Sequence, residues 1–334
     1  MKKTLLILLV ACVMLCAVTI IADAQPNAAG RGNAGRGGAA RRGMMGGNMG
    51  RGGFGRGQLS PPGPPAPVPP EVAIPRPTSE EVAKMNEELQ KFINTNTSVD
   101  KDLLKKYASI INVQVPRDNP CIRPTAARGG RHERFVQEAN EGNFDVIFYG
   151  DSITDLLGAD NDNQGNPGGK PIAEKYLSDV KFVNFGISGD TTQGVLWRLQ
   201  NGEGQGHKPK AVMLMIGTNN MNAQTSAAEV AEGIGAIVLE LRKDFPDAKI
   251  MLLAIFPRGA SPNDSNRRKV EECNKIIAKL NDGKHVFFTN INDKFLTSEG
   301  RLIGFRTTDN LHPVTEGFDI WISSVAPTLK SWVK

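Results

Sequence analysis

The chain has 334 residues, of which 40% are hydrophobic, 6% aromatic and 22% charged. This suits an ordinary globular core rather than a helical membrane bundle, and the length is short for two domains with linkers. The net charge of +5 belongs to the N-terminal part: residues 1–78 hold nine Lys/Arg against two Asp/Glu, a charge of +7, and the rest holds 31 basic and 33 acidic residues, a charge of −2. The part able to fold therefore lacks the basic excess of a nucleic-acid binder.

In chain order, Lys2 and Lys3, an apolar run over 5–21, and Ala22-Asp23-Ala24 before Gln25 read as a secretory signal covering 1–24. Its rival is an uncleaved anchor, because the run approaches the length of a membrane span. Leu9-Val10-Ala11-Cys12 as a lipid-attachment box is weaker, since the apolar stretch continues past Cys12. The expectation is a secreted, periplasmic or cell-surface protein with no membrane span after cleavage. Residues 25–57, glycine interrupted by arginine, have too little apolar surface to offset ordering entropy and should be disordered. Such tracts can bind RNA, but in an exported protein a solvated tether, or contact with anionic surface polymer, is the better reading. The proline-rich stretch 61–77 should be a stiff extended spacer, so 25–77 reads as a tether.

Thr78-Ser-Glu-Glu81 is a capping box, followed by helical periodicity over 82–93 and a second helix over 100–110. Residues 78–142 read as a helical extension. From Asn143 the pattern changes to alternating strand and helix. Apolar runs at 144–149, 180–184, 211–216, 249–256 and 286–289 predict five strands. Asp190-Thr-Thr-Gln193 and Ser226-Ala-Ala-Glu229 are helix-start signatures, with Asp190 as a helix cap, and 231–241, 267–280 and 314–332 are helical. Continuous apolar strands alternating with helices predict a flavodoxin-like three-layer α/β/α sandwich over 143–334, with a five-stranded parallel sheet.

Ligands of such sheets bind beyond the carboxyl ends of the strands. Three strands lead there into small polar clusters: Gly150-Asp151-Ser152, Gly186-Ile187-Ser188-Gly189-Asp190 and Gly217-Thr218-Asn219-Asn220. A fourth cluster, Asp309-Asn310-Leu311-His312, lies near the C-terminus. Together they supply what acyl transfer needs. Ser152 is the candidate nucleophile, His312 the base and Asp309 the group that orients it. The N–H groups of Ser152 and Gly189, with the Asn219 amide, are candidate oxyanion donors. Alone, Ser152 reads as a capping serine; the Asp-x-x-His spacing of Asp309 and His312 reverses that preference. Asp151 and Asp190 read as structural. His132, His207 and His285 lack acidic or cysteine neighbours at ligand spacing, and Cys121 and Cys273, 152 positions apart, fit no zinc pattern. No cofactor or metal is expected. Whether these two cysteines pair stays open.

The four blocks resemble those of the SGNH hydrolases, the GDSL esterase/lipase superfamily, whose Ser, Gly, Asn and His match Ser152, Gly189, Asn219 and His312. Asn184-Phe-Gly-Ile-Ser-Gly-Asp-Thr-Thr-Gln193, Val195-Leu-Trp-Arg-Leu199, Asn201-Gly-Glu203 and Pro257-Arg-Gly259 are most similar to the branch containing the platelet-activating-factor acetylhydrolase catalytic subunits. The resemblance covers 143–332. It implies a serine esterase acting on short-chain, chiefly acetyl, esters, and export points to extracellular carbohydrate as their carrier. A lipid esterase or thioesterase of the same fold is the alternative within the class. A non-catalytic surface binder using the Gly/Arg tail is the alternative outside it. Two departures stand out. The third block, which usually ends Asn-Asp, ends Asn219-Asn220, a change shared with the acetylhydrolase branch. The insertion 160–169 is unlike that branch and is expected to form a loop at the site mouth.

Overall fold

The computed structural model describes residues 61–334 other than 97, 99, 108–110, 114, 116, 127–129 and 222–223. The signal reading and the Gly/Arg-rich segment lie outside the described residues. Five strands form one parallel sheet: β1 Val146–Gly150, β2 Phe182–Gly186, β3 Ala211–Met215, β4 Lys249–Leu253 and β5 Val286–Thr289, in the order β2-β1-β3-β4-β5. This is the flavodoxin-like order. Burial follows position. Every residue of β1 and β3 is buried, whereas the edge strands β2 and β5 keep half-buried positions. Their continuous Val/Ile/Leu/Met/Phe composition is what a sheet covered on both faces requires.

Successive strand side chains point to opposite faces, and the core divides accordingly. Ile147, Tyr149, Val212 and Leu214 enter one layer with α3 Arg131–Glu141, α6 Thr192–Gln200, α7 Ala227–Asp244 and α8 Ser265–Ile277. Val146, Phe148, Ala211 and Met213 enter the other with α4 Ser152–Leu157, α5 Lys170–Leu177 and α9 Thr315–Val333. Helices α3, α4 and α5 had no separate sequence expectation. The chain of α3, RHERFVQEANE, buries only His132, Phe135 and Ala139, too narrow a stripe to declare itself.

The N-terminal region departs from expectation in three places. The capping box at Thr78 forms and opens α1 Ser79–Thr95, but α2 ends early, spanning Lys101–Lys106. Residues 61–77 form neither helix nor strand, turn at 70–72 through the Val72 N–H and the Pro69 carbonyl at 3.2 Å, and do not act as a free spacer. Ala66 and Val72 are buried in the main core, the Ala66 N–H bonds the Ile122 carbonyl at 2.7 Å, and Arg76 pairs with Glu232 of α7 at 2.6 Å. Glycine in α7 makes room for this: a Cβ on Gly235 would lie 2.6 Å from Val72 and 2.9 Å from Pro69. Cys121, Ile122, Phe135 and Ala139 belong to the same core cluster, so the folded unit starts well before the boundary expected at 143. Cys121 and Cys273 are both free and buried, and burial pushes both thiols up, that of Cys121 to about 11. No helix among the described residues is long and apolar enough to cross a membrane.

Candidate active site

Register brings the first three clusters together. Gly150, the last residue of β1, pairs with Gly186 on one side and with Met215 on the other. The loops carrying Ser152, Gly189 and Asn219 therefore leave three adjacent strands at one level. Gly150 allows the chain to turn immediately into α4: a Cβ there would lie 2.0 Å from Thr154 Oγ1 and 2.7 Å from the Met215 carbonyl oxygen. Asp151 caps that helix through the Ile153 N–H at 3.1 Å, leaving the Ser152 hydroxyl for other work.

The Ser152 Oγ lies 2.8 Å from His312 Nε2, and His312 Nδ1 lies 2.8 Å from Asp309 Oδ2. Asp309 also accepts the Leu311 N–H at 2.9 Å and the His312 N–H at 3.0 Å. Burial alone would raise the Asp309 carboxyl. The hydrogen bonds from the His312 ring and these two N–H groups outweigh it and hold the carboxyl below the ordinary carboxylate range. Asp309 is thus an anion placed to keep the proton on Nδ1, which leaves Nε2 free to accept from serine. The turn needs Asn310 at φ +50°, and the Gly259 N–H holds the Asn310 carbonyl at 2.9 Å. Arg267, buried without a carboxylate partner among the described residues, donates to the carbonyls of Arg258, Gly259 and Gly300 and so steadies the loop behind that turn.

Gly189 sits at φ +81° in a turn closed by the Asp190 N–H and the Ile187 carbonyl at 3.0 Å. That backbone requires glycine, and a Cβ there would meet nothing within 4 Å among the described residues. Asn219 Nδ2 donates to the Asp190 carbonyl at 2.8 Å, joining the third cluster to the second. A primary amide has two N–H donors, and the Asp190 carbonyl takes one of them.

Residues 148–320 match the GDSL-like lipase/acylhydrolase family. The chain belongs to that family. The rat platelet-activating factor acetylhydrolase IB subunit alpha2 is 34% identical over 208 residues, 60% of this chain and 86% of the relative. The chicken alpha2 subunit is 35% identical over 202 residues, 58% and 83%. A crystal structure of a GDSL-like lipase from Bacteroides thetaiotaomicron superposes with a TM-score of 0.48 at 18% identity, covering 60% of this chain and 97% of that one. As a member of the GDSL family, the protein is a serine-type carboxylic ester hydrolase.

Several residues that shape the GDSL site escaped the sequence reading. Asp155, one turn after Ser152, accepts the Ser188 N–H at 3.1 Å and hydroxyl at 2.7 Å and pairs with Arg131 at 2.7 Å, so α4 grips the Gly189 turn. Asp190 is not the helix cap expected. The N-cap of α6 is Thr191, and the Asp190 carboxylate instead faces the fully buried Arg198, with Nη2 at 3.0 Å. The same guanidinium bonds Glu203, which in turn lies 3.3 Å from His132 Nδ1. A buried carboxylate needs a counter-charge more than a helix end needs a cap, and burial still pushes the Asp190 carboxyl up despite Arg198. Asn220 accepts the Thr192 N–H at 3.1 Å and donates to Gln193 Oε1 at 2.8 Å. An ionised aspartate could not make that donation, which gives the Asn219-Asn220 variant its local reason.

Asp151 carries a pH signature. Full burial, with the nearby Asp190 charge, pushes its carboxyl up to about 7, although the Ile153 N–H and Arg258 pull the other way. The ordinary value is about 4. Between the two the folded state holds a proton that the unfolded chain has lost. This contribution to stability is full below about pH 4 and is lost as pH rises through about 7. Asp151→Asn keeps the capping oxygen and removes the titration. Its Tm should gain on the wild type from pH 5 to pH 8, and parallel pH curves would refute the assignment.

Proposed function

We propose that Ser152, His312 and Asp309 hydrolyse short acyl esters, acetyl foremost, through an acyl-enzyme. The 2.8 Å contacts from serine to imidazole and from imidazole to carboxylate carry this reading. The Ser152 oxygen attacks the ester carbonyl while its proton passes to His312 Nε2. The carbonyl electrons move to the oxygen, which the N–H groups of Ser152 and Gly189 and the Asn219 amide hold. Collapse expels the alcohol, protonated by His312, and water repeats the cycle to release the acid. Asn219→Ala should lower kcat by about 10²–10³ with a smaller change in KM; a loss confined to KM would remove Asn219 from the oxyanion site.

For the substrate, the expected N-terminal signal, the acetylhydrolase names of the rat and chicken relatives and the surroundings of the turn support an acetylated extracellular carbohydrate. A cleft of about 460 Å³ reaches Asn310 and is lined by Ser261, Glu299, Arg301, Phe305 and Thr307. Ala260, Pro262 and Leu302 complete the lining, so the cleft pairs hydroxyl, amide and charged groups with apolar surface, as the polar edges and apolar faces of a sugar ring do. The test is a series of p-nitrophenyl esters from C2 to C12 together with acetate release from acetylated xylan. The reading expects kcat/KM to peak at C2 with acetate released. A maximum at C8 or longer would move the substrate to the lipid class.

A further inference from the structure

The insertion 160–169 plays no part in the chemistry above, yet it makes one well-buried contact next to it. Asp162 Oδ2 lies 2.7 Å from Arg306 Nη1, and the two side chains are 13% and 10% exposed. Within the loop, Asp162 also accepts the Asn166 side-chain amide at 2.9 Å and the N–H groups of Gln164 and Asn166 at 2.8 Å each. Those bonds, the Asn166 amide first, with the Arg306 charge, hold the carboxyl at about 2. It therefore stays charged wherever an esterase is assayed.

Arg306 stands at the base of the turn that presents the triad. Its N–H donates to the His312 carbonyl and its carbonyl accepts the Asn310 N–H, both at 2.9 Å. Among the described residues its Nε and Nη2 are buried without an acceptor, so Asp162 is its counter-charge. On the other side, the insertion grows out of the helix that begins at Ser152. The Gly168 N–H bonds the Asp160 carbonyl and the Gly169 N–H bonds Leu156, the penultimate residue of α4. The pair is thus a second link between the nucleophile's helix and the base's turn, besides the Ser152–His312 contact. Within the turn Thr307, Thr308 and Asp309 are exposed, and Leu311, half-buried, is the apolar residue that packs against the core.

We infer that the Asp162–Arg306 ion pair is a positioning device for ester hydrolysis, fixing the Asp309–His312 turn against the Ser152 helix so that imidazole and hydroxyl stay in register. This rests on the assignment of Ser152 and His312 made above. Neither partner touches the reacting atoms. Each acts through the turn, where a displacement of about 1 Å is enough to cost roughly 10²-fold in rate.

The test uses Asp162→Asn, the double variant Asp162→Asn with Arg306→Met, and Ser152→Ala as control, all on p-nitrophenyl acetate at 20 °C with Tm measured in parallel. The double variant removes the stranded guanidinium charge that the single one leaves buried, and it decides the matter if the single one does not fold. The expected result is a folded double variant with kcat about 10–100-fold lower, KM nearly unchanged, and labelling of Ser152 by a fluorophosphonate slowed in the same ratio. A purely structural pair would lower Tm and leave kcat and labelling alone. A folded double variant with wild-type kcat overturns the inference. Activity persisting in Ser152→Ala would instead overturn the site assignment, so the two failures are distinct.

Discussion

Ser152→Ala is expected to lower kcat on a chromogenic acetyl ester by roughly 10⁴–10⁶ and to abolish fluorophosphonate labelling, with KM and Tm changed little. On the proposed mechanism the rate loss follows from removing the atom that forms the acyl bond. The proposed oxyanion donors and His312 remain, so the variant should keep a residual rate above the uncatalysed one. The stability forecast follows from the local structure. Helix α4 is capped by Asp151 rather than by Ser152, alanine is the better helix former, and the bond given up to His312 contributes about 0.5–1.5 kcal/mol net. A merely structural serine predicts the reverse, a lowered Tm with kcat intact. Circular dichroism melts beside initial rates separate the two outcomes.

Three of the four polar clusters were legible because each occupies a few residues at the end of an apolar strand, where the rules of strand geometry and turn chemistry are local, and the fourth because Asp309 and His312 stand three residues apart. What sequence could not supply was the partner of each buried group. Asp190 reads as a cap from its neighbours, but Arg198 lies two turns further along the helix and Glu203 beyond its end, and only folding shows that the Asp190 and Glu203 carboxylates meet the one Arg198 guanidinium. Residues 61–77 read as a spacer on composition, since proline forbids regular structure. Ala66 and Val72 are isolated apolar positions that acquire meaning only in the core, Val72 against Gly235 of α7 and Ala66 beside the Ile122 carbonyl. Asp162 and Arg306 are 144 positions apart, and their pairing has no periodicity to betray it. Local pattern reveals elements and nucleophile elbows, whereas long-range charge pairing stays hidden until the chain is folded.

Asp309→Asn is expected to reduce kcat by about 10⁴ while leaving the turn in place. The asparagine carbonyl can still accept the Leu311 and His312 N–H groups that Asp309 Oδ1 accepts now. Its amide then faces His312 Nδ1 as a donor, so the ring must present a lone pair there and carry its proton on Nε2. That proton points at Ser152 Oγ, 2.8 Å away, and the imidazole loses the ability to take the serine proton. The geometry survives and the direction of the hydrogen bond reverses. In the wild type the Asp309 carboxyl is held below the ordinary carboxylate range by the same donors, so the orienting charge is present above that depressed value and is lost only as pH falls through it. A deficit of less than tenfold at pH 7 would mean that another group orients His312.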